Sequence, residues 1–160
     1  MLTQSELKRI WSYDPNTGLL TRLVKSAKRT KVGDVANCLD NNGYIVINFN
    51  YHFFRVHRLA FLYMLGKFPK NQVDHINGIP SDNRWCNLRD VTQKINKQNL
   101  HAPKKNNSSG YLGVSKSGKK WVATISIDSK TKYIGTFDCK KQAHNAYLIE
   151  KRKNHKGCDL

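Results

Sequence analysis

The stretch "VDHINGIPSDNRWCNLRDVTQKIN", Val73 to Asn96, decides how this chain is read. It gathers Asp74, His75, Asn87 and Asn96 within 24 residues, with a polar loop between the first pair and the second. "QVDHI" and "LRDVT" have the apolar and β-branched content of two short strands, and "NGIPSDN" between them is a loop. "TQKINKQN" then predicts a helix with Thr92 as its N-cap. Such a strand–loop–strand–helix unit can bring a residue of its first strand against the first turn of its helix. Neighbouring strand residues point to opposite faces. For Asp74 and His75 to serve one site, the strand must therefore end or bulge at that dipeptide, and "NGIP" directly after it supplies the irregularity.

These residue types suit hydrolysis of a phosphodiester. A water must lose a proton near the phosphorus, and the leaving oxygen must be stabilised. A neutral histidine suits the first task near neutral pH. A divalent cation suits the second, and carboxylate and amide oxygens favour Mg²⁺ or Mn²⁺ over zinc. Asp74 and Asn96 offer that pair. Within the loop, Asp82 and Asn83 are expected to make structural hydrogen bonds. Arg84 is expected to touch a phosphate or face solvent, and Trp85 and Cys86 to anchor the loop in the core.

Upstream, "HRLAFLYMLG", His57 to Gly66, reads as a buried helix stopped by its glycine. "GYIVINF" and "HFFRV" read as a hairpin turning at "NY", and "LLTRLV" as a further strand after the dense turn signal "DPNTG", Asp14 to Gly18. A short helix is expected over Ser5 to Trp11, and "KSAKRTK", Lys25 to Lys31, is a basic loop. Arg58 is placed facing DNA or in a structural bond. His52, His101, His144 and His155 have no partner at ligand spacing. Downstream, "LHAPKKNNSSG", Leu100 to Gly110, has the composition of a linker. "GYLGVS", "KWVATISI" and "KYIGTF" then read as three strands. "DCKKQAHNAYLIEKRKNHKG" reads as a helix with Asp138 as N-cap, Gly157 as stop, and Cys139, Ala143, Ala146, Tyr147 and Glu150 on one face.

The chain has 160 residues and a net charge of +17. A surplus that large repels itself when folded and points to a polyanionic partner. Residues 1–70 carry 11 Lys/Arg against 4 Asp/Glu, residues 71–100 carry 4 against 3, and residues 101–160 carry 13 against 4. Two basic arms thus flank a near-neutral middle. No apolar run reaches the roughly 18 residues of a membrane span, and Met1 to Ile10 lacks a secretory h-region. Cys38, Cys86, Cys139 and Cys158 form no C-x-x-C pair and read as reduced thiols, most of them packing residues, which fits a cytoplasmic protein.

The central stretch, with "VHRLAFLYMLGKFPKNQ" before it, resembles the ββα-metal core of HNH endonucleases, in particular the phage homing branch; the resemblance spans roughly Gly43 to Asn99. It implies His75 as general base, Asn87 as brace of the loop that positions it, and Asp74 and Asn96 as ligands of Mg²⁺ (or Mn²⁺). The last motif position is often histidine and here is Asn96. "GYLGVSKSGKKWVATISIDSKTKYIGTFDCKKQAHNAY" resembles the APETALA/ethylene-response-factor-type DNA-binding domain, a three-stranded sheet laid in the major groove and backed by a helix. Gly113, Val114, Trp121, Ala123, Ile125, Gly135, Phe137, Ala143 and Tyr147 follow its framework. Where that domain sets arginines on its first strand, this chain has Leu112 and Ser115.

The expectation is an α+β protein. An HNH nuclease domain spans 1–99, with an N-terminal β-rich segment over 1–70 and a ββα-metal core over 71–99. A linker follows over 100–109, and a three-stranded antiparallel sheet packed on one helix over 110–160. Duplex DNA is the expected partner, reached by Arg58, Lys104, Lys105, Lys116, Lys119, Lys120, Lys132 and Tyr133. No membrane and no small-molecule cofactor is expected. A monomer nicking one strand per active site is expected, with a dimer as the other possibility, in the host cytoplasm if the chain is phage-encoded. The competing readings are a non-cleaving DNA-binding regulator on the same folds and a binder of structured RNA.

Overall fold

The computed structural model describes residues 2–25, 27–103, 106–155 and 157. The chain divides into two compact units, Met1–Thr92 and Gln93–Leu160. That division falls before the expected helix of the central motif rather than after it.

In the first unit, α1 (Gln4–Ile10) begins with a capping box. The Thr3 amide donates to Glu6 Oε2 at 2.9 Å, and the Glu6 amide returns the bond to Thr3 Oγ1 at 3.3 Å. β1 (Trp11–Tyr13) and β2 (Leu20–Arg22) pair antiparallel across the Asp14–Gly18 turn. Asp14 closes that turn by accepting from the Asn16 amide at 2.9 Å and the Thr17 hydroxyl at 2.8 Å. β3 (Cys38–Leu39), β4 (Ile45–Phe49) and β5 (His52–Arg55) form a sheet in that order. The β4–β5 hairpin turns at Asn50 and Tyr51, both left-handed with φ of 49° and 64°, as a two-residue hairpin requires.

α2 (Val56–Leu65) follows β5 directly and ends at Gly66, whose φ of 73° closes the last turn. It buries Val56, His57, Leu59, Ala60, Phe61 and Leu62 against a core that includes Leu7, Trp11, Leu20, Val73 and Leu88. β6 (Gln72–His75) and β7 (Leu88–Val91) pair antiparallel with Asp74 opposite Arg89 and His75 opposite Leu88. The strand ends at His75, where the dipeptide required an end or a bulge. Trp85 packs edge-on against Phe61 at 4.8 Å and anchors the loop. Cys86 does not: it is exposed, because its neighbours Trp85 and Asn87 take the inward positions of the single 3₁₀ turn Trp85–Asn87.

The second unit opens with α3 (Gln93–Gln98). β8 (Val114–Ser117), β9 (Lys120–Ile127) and β10 (Lys130–Phe137) form an antiparallel sheet in the order β10-β9-β8, and α4 (Lys140–Asn154) packs on it. Ala143, Tyr147 and Lys151 make the buried stripe of α4, four residues apart, and Ala143 and Tyr147 meet Val114, Ala123 and Ile125. The Tyr147 ring lies so close to Gly113, at φ 70°, that a Cβ there would overlap it.

Three details differ from expectation. The N-cap of α4 is Cys139 rather than Asp138, whose carboxylate pairs with Lys120 at 3.3 Å. The helix ends at His155, ahead of Gly157. Cys139, expected on the packed face, is exposed, as are Cys38 and Cys86, so these thiols are not packing residues. Cys158 lies outside the described residues.

Candidate active site

Asp74 and His75 close β6 and are 6% and 5% exposed. Their side chains meet different neighbours. Asp74 Oδ2 accepts from Arg89 Nε and Nη2, both at 2.8 Å, across the β6–β7 register. His75 packs its ring against His57, centroids 5.1 Å apart at 83°, and against Tyr44 at 5.7 Å. Tyr44 and His57 in turn lie 4.9 Å apart at 72°, so the three rings close on one another. Burial holds the His75 imidazole below its usual pKa, offset in part by the hydrogen bond to Asn83 and the charges of Asp74 and Asp82. The ring is therefore neutral at physiological pH, the form a general base requires.

The loop after β6 is tied by its own polar side chains. Asn87 sits at the end of the 3₁₀ turn and is 6% exposed. Its Oδ1 accepts from the Asn77 amide at 2.9 Å, and its Nδ2 donates to Asn77 Oδ1 at 3.0 Å and to the Asp82 carbonyl at 2.8 Å. Its own carbonyl accepts from the Ile76 amide at 2.9 Å. Asn87 thus spans the loop that begins at His75. The Asp82 carboxylate adds bonds from Asn77 Nδ2 at 2.6 Å and from Arg84 Nε and Nη2 at 2.8 and 2.6 Å. The hydrogen bonds from Arg84 lead the causes that pull Asp82 down to about 2. Arg84 is committed to that carboxylate.

Asn96 lies on α3, partly buried, in the second unit. Arg58, on α2, donates to the carbonyls of Pro69 at 3.3 Å and Asn71 at 3.4 Å and so ties the approach to β6. Lys104 and Lys105 lie outside the described residues. The other expected DNA contacts separate by sheet face. Lys116 is opposite Trp121, and Lys132 opposite Ile125. Ile125 is among the residues packed with α4, and Lys132 bonds Glu150 of α4 at 2.7 Å. Alternation therefore turns Lys116 and Lys132 toward the helix side, away from the open face on which they were expected. Lys120 and Tyr133 fall on the open face with Ser115, Thr124 and Thr136, and Tyr133 is 60% exposed with its hydroxyl 2.7 Å from Thr136 Oγ1. Lys119 stands in the β8–β9 turn, exposed.

Four residues near His75 escaped the sequence reading as site residues. Arg89 could have been found by folding the hairpin on paper, which sets it opposite Asp74. His57 shares the α2 face of Ala60 and Phe61, a signal for burial. Asn83 was read as a loop hydrogen-bonder only, and Tyr44 had no local signal.

Residues 54–98 match the family model described as HNH endonuclease, and the match supports an HNH nuclease acting on DNA. No curated protein and no solved structure matches the chain. The mixed α+β architecture with small antiparallel sheets is compatible with such a domain. No described helix is long and apolar enough to cross a membrane.

Among the described residues no three His, Cys, Asp or Glu side chains gather as a metal site. A cation held by one carboxylate and an amide needs no such cluster. Both guanidinium bonds to Asp74 fall on Oδ2.

Proposed function

We propose that the chain is a metal-dependent DNA endonuclease of the HNH homing type that hydrolyses phosphodiester bonds in duplex DNA, one strand per active site. The observation that carries this reading is a buried histidine at the end of β6, its pKa held low by burial, inside the segment that matches HNH endonucleases. His75 takes a proton from water, the resulting hydroxide attacks phosphorus, and the bond to the 3′ oxygen breaks; the departing 3′ alkoxide takes a proton from solvent water, leaving a 5′ phosphate and a 3′ hydroxyl. Asn87 holds the loop that carries His75. Asp74 and Asn96 are the proposed ligands of Mg²⁺ or Mn²⁺. When bound, that ion stabilises charge on the scissile phosphate and leaving oxygen. Arg89 fixes the Asp74 carboxylate.

The test is incubation of supercoiled plasmid with the full chain. Open circles should accumulate with Mg²⁺ and not with EDTA. Plasmid left supercoiled under Mg²⁺ and Mn²⁺ alike, with duplex still bound, would favour the second reading, a non-cleaving DNA-binding regulator. The guanidinium on Asp74 is the feature that favours it.

The proposal extends to residues 110–160 as a duplex-binding module that presents the open face of its sheet, with Lys119, Lys120 and Tyr133, to DNA. Each phosphate contact contributes a slope of about −0.9 in log K against log salt. Lys120→Gln should therefore flatten the slope by about that amount. Lys132→Gln should leave it unchanged, since Lys132 lies on the helix side of the sheet. Equal slopes for wild type and Lys120→Gln would remove Lys120 from the interface.

A further inference from the structure

The β3–β4–β5 sheet has one face in the core and one turned away from it. Ile47 is buried, and its partner Phe54 packs against the same core. Alternation sets Val46 and Asn48 of β4, with their partners Arg55 and Phe53 of β5, on the other face. Phe53 is 74% exposed there, and Tyr51, at the tip of the hairpin, is 96% exposed. Tyr51 also holds a φ of 64°, a region that glycine or asparagine takes easily and a bulky residue does not. A strained aromatic that contributes nothing to the core is a sign of use.

Arg55 links this face to the candidate active site. Its guanidinium lies 4.4 Å from the centre of the Tyr44 ring, and that ring is 5.7 Å from His75. Asp40 Oδ2 accepts from Arg55 Nε at 2.9 Å and from Nη2 at 2.8 Å. One edge of the fork is thereby fixed, and Nη1 keeps no bond to any described residue. The side chain is 41% exposed. Asp40 does not simply cancel the cation, because its Oδ1 is engaged by the Asn42 and Tyr44 amides at 2.8 and 3.1 Å. A braced, half-open guanidinium suits a phosphate, which it meets through two N–H groups. The excess of basic over acidic residues in 1–70 favours the same polyanion over a protein partner.

We propose that the outer face of the β3–β4–β5 sheet carries the DNA strand flanking the scissile phosphate: Arg55 binds a neighbouring phosphate, and Phe53 and Tyr51 pack in the groove against the sugars and base edges beyond it. The inference rests on His75 as the centre of cleavage, but its readouts are binding and stability. The probe is a fluorescein-labelled 30-base-pair duplex of mixed sequence, titrated with the full chain in EDTA over a range of salt. Arg55→Gln should flatten log K against log salt by about 0.9, one phosphate contact, and Arg55→Lys, which keeps the cation, should restore the slope. Phe53→Ser and Tyr51→Gly should each weaken binding about fivefold, the scale of half-burying one aromatic ring, with the slope unchanged. Tyr51→Gly makes the turn Asn-Gly, the pair this hairpin prefers, so its resistance to urea should hold or rise while its affinity falls. A residue that only serves the fold would not lose binding while keeping stability. A wild-type slope in folded Arg55→Gln, or wild-type affinity in both aromatic variants, overturns the proposal. Where these shifts appear and wild type nicks no plasmid, the nuclease reading falls and the DNA-bearing face stands.

Discussion

His75→Ala should lower the rate of plasmid nicking by about 10²–10⁴-fold, the usual worth of a positioned general base, and leave duplex affinity within a few-fold. The separation between rate and affinity follows from the site. His75 is buried among His57, Tyr44 and Asn83, whereas the cations proposed to meet duplex, Lys119 and Lys120, are exposed. Deleting the ring removes the contacts with Tyr44 and His57, so unfolding of the variant must be measured beside its activity. A variant that is folded, binds duplex and still nicks within a few-fold of wild type would place the base elsewhere.

Much of the fold was legible because its punctuation is local. "NY" between two aromatic-rich runs turns the β4–β5 hairpin, Gly66 stops α2, and Asp14 to Gly18 makes the turn its composition announced. Those signals need no knowledge of distant residues. What stayed hidden is tertiary. The pairing of Asp74 with Arg89 depends on strand register, and the facing of Lys116 and Lys132 toward α4 depends on which face the helix covers. Spacing alone set all the lysines on one DNA-facing list.

The central motif shows the same limit at closer range. Asp74 and His75 stood out by residue type, Asn87 only through the resemblance to HNH endonucleases, and the bonds of Asn87 to residues 77 and 82 give a physical basis for a bracing role. The sequence offered no cue that Tyr13 and Gly18, far upstream, would close on the Asn83 backbone. Cys139 misled for another reason. Asp is a strong N-cap by propensity, but the Asp138 carboxylate pairs with Lys120 on the neighbouring strand, and the helix starts one residue later.

His57 leads to the second large effect, on stability in mild acid. Its ring is 4% exposed, and Nδ1 is buried with no hydrogen-bond partner. Burial first, then the charges of His75, Arg55 and Arg58, push its pKa from 6.5 down to about 3. The folded protein therefore keeps His57 neutral while the unfolded chain protonates it near 6.5. Between those values the unfolded state binds the extra proton, so stability must fall as pH falls from about 6.5 toward 3. The slope from this one group is about 1.4 kcal/mol per pH unit. His75, also held low, adds to the loss as pH falls below 6.5. Carboxylates act lower: Asp82, held near 2 against an ordinary 3.8, loses its contribution only as pH drops through that range. The carboxylates are common to wild type and a His57 variant, so the difference between the two isolates His57. His57→Phe keeps a ring against Tyr44 and His75 and has nothing to protonate. Urea unfolding at pH 7, 5.5 and 4.5 should show the wild type losing stability faster than His57→Phe, the gap widening by about 1.4 kcal/mol for each unit below 6.5. Parallel losses in the two proteins would mean that His57 already titrates normally in the fold, and that the three-ring cluster is open to water.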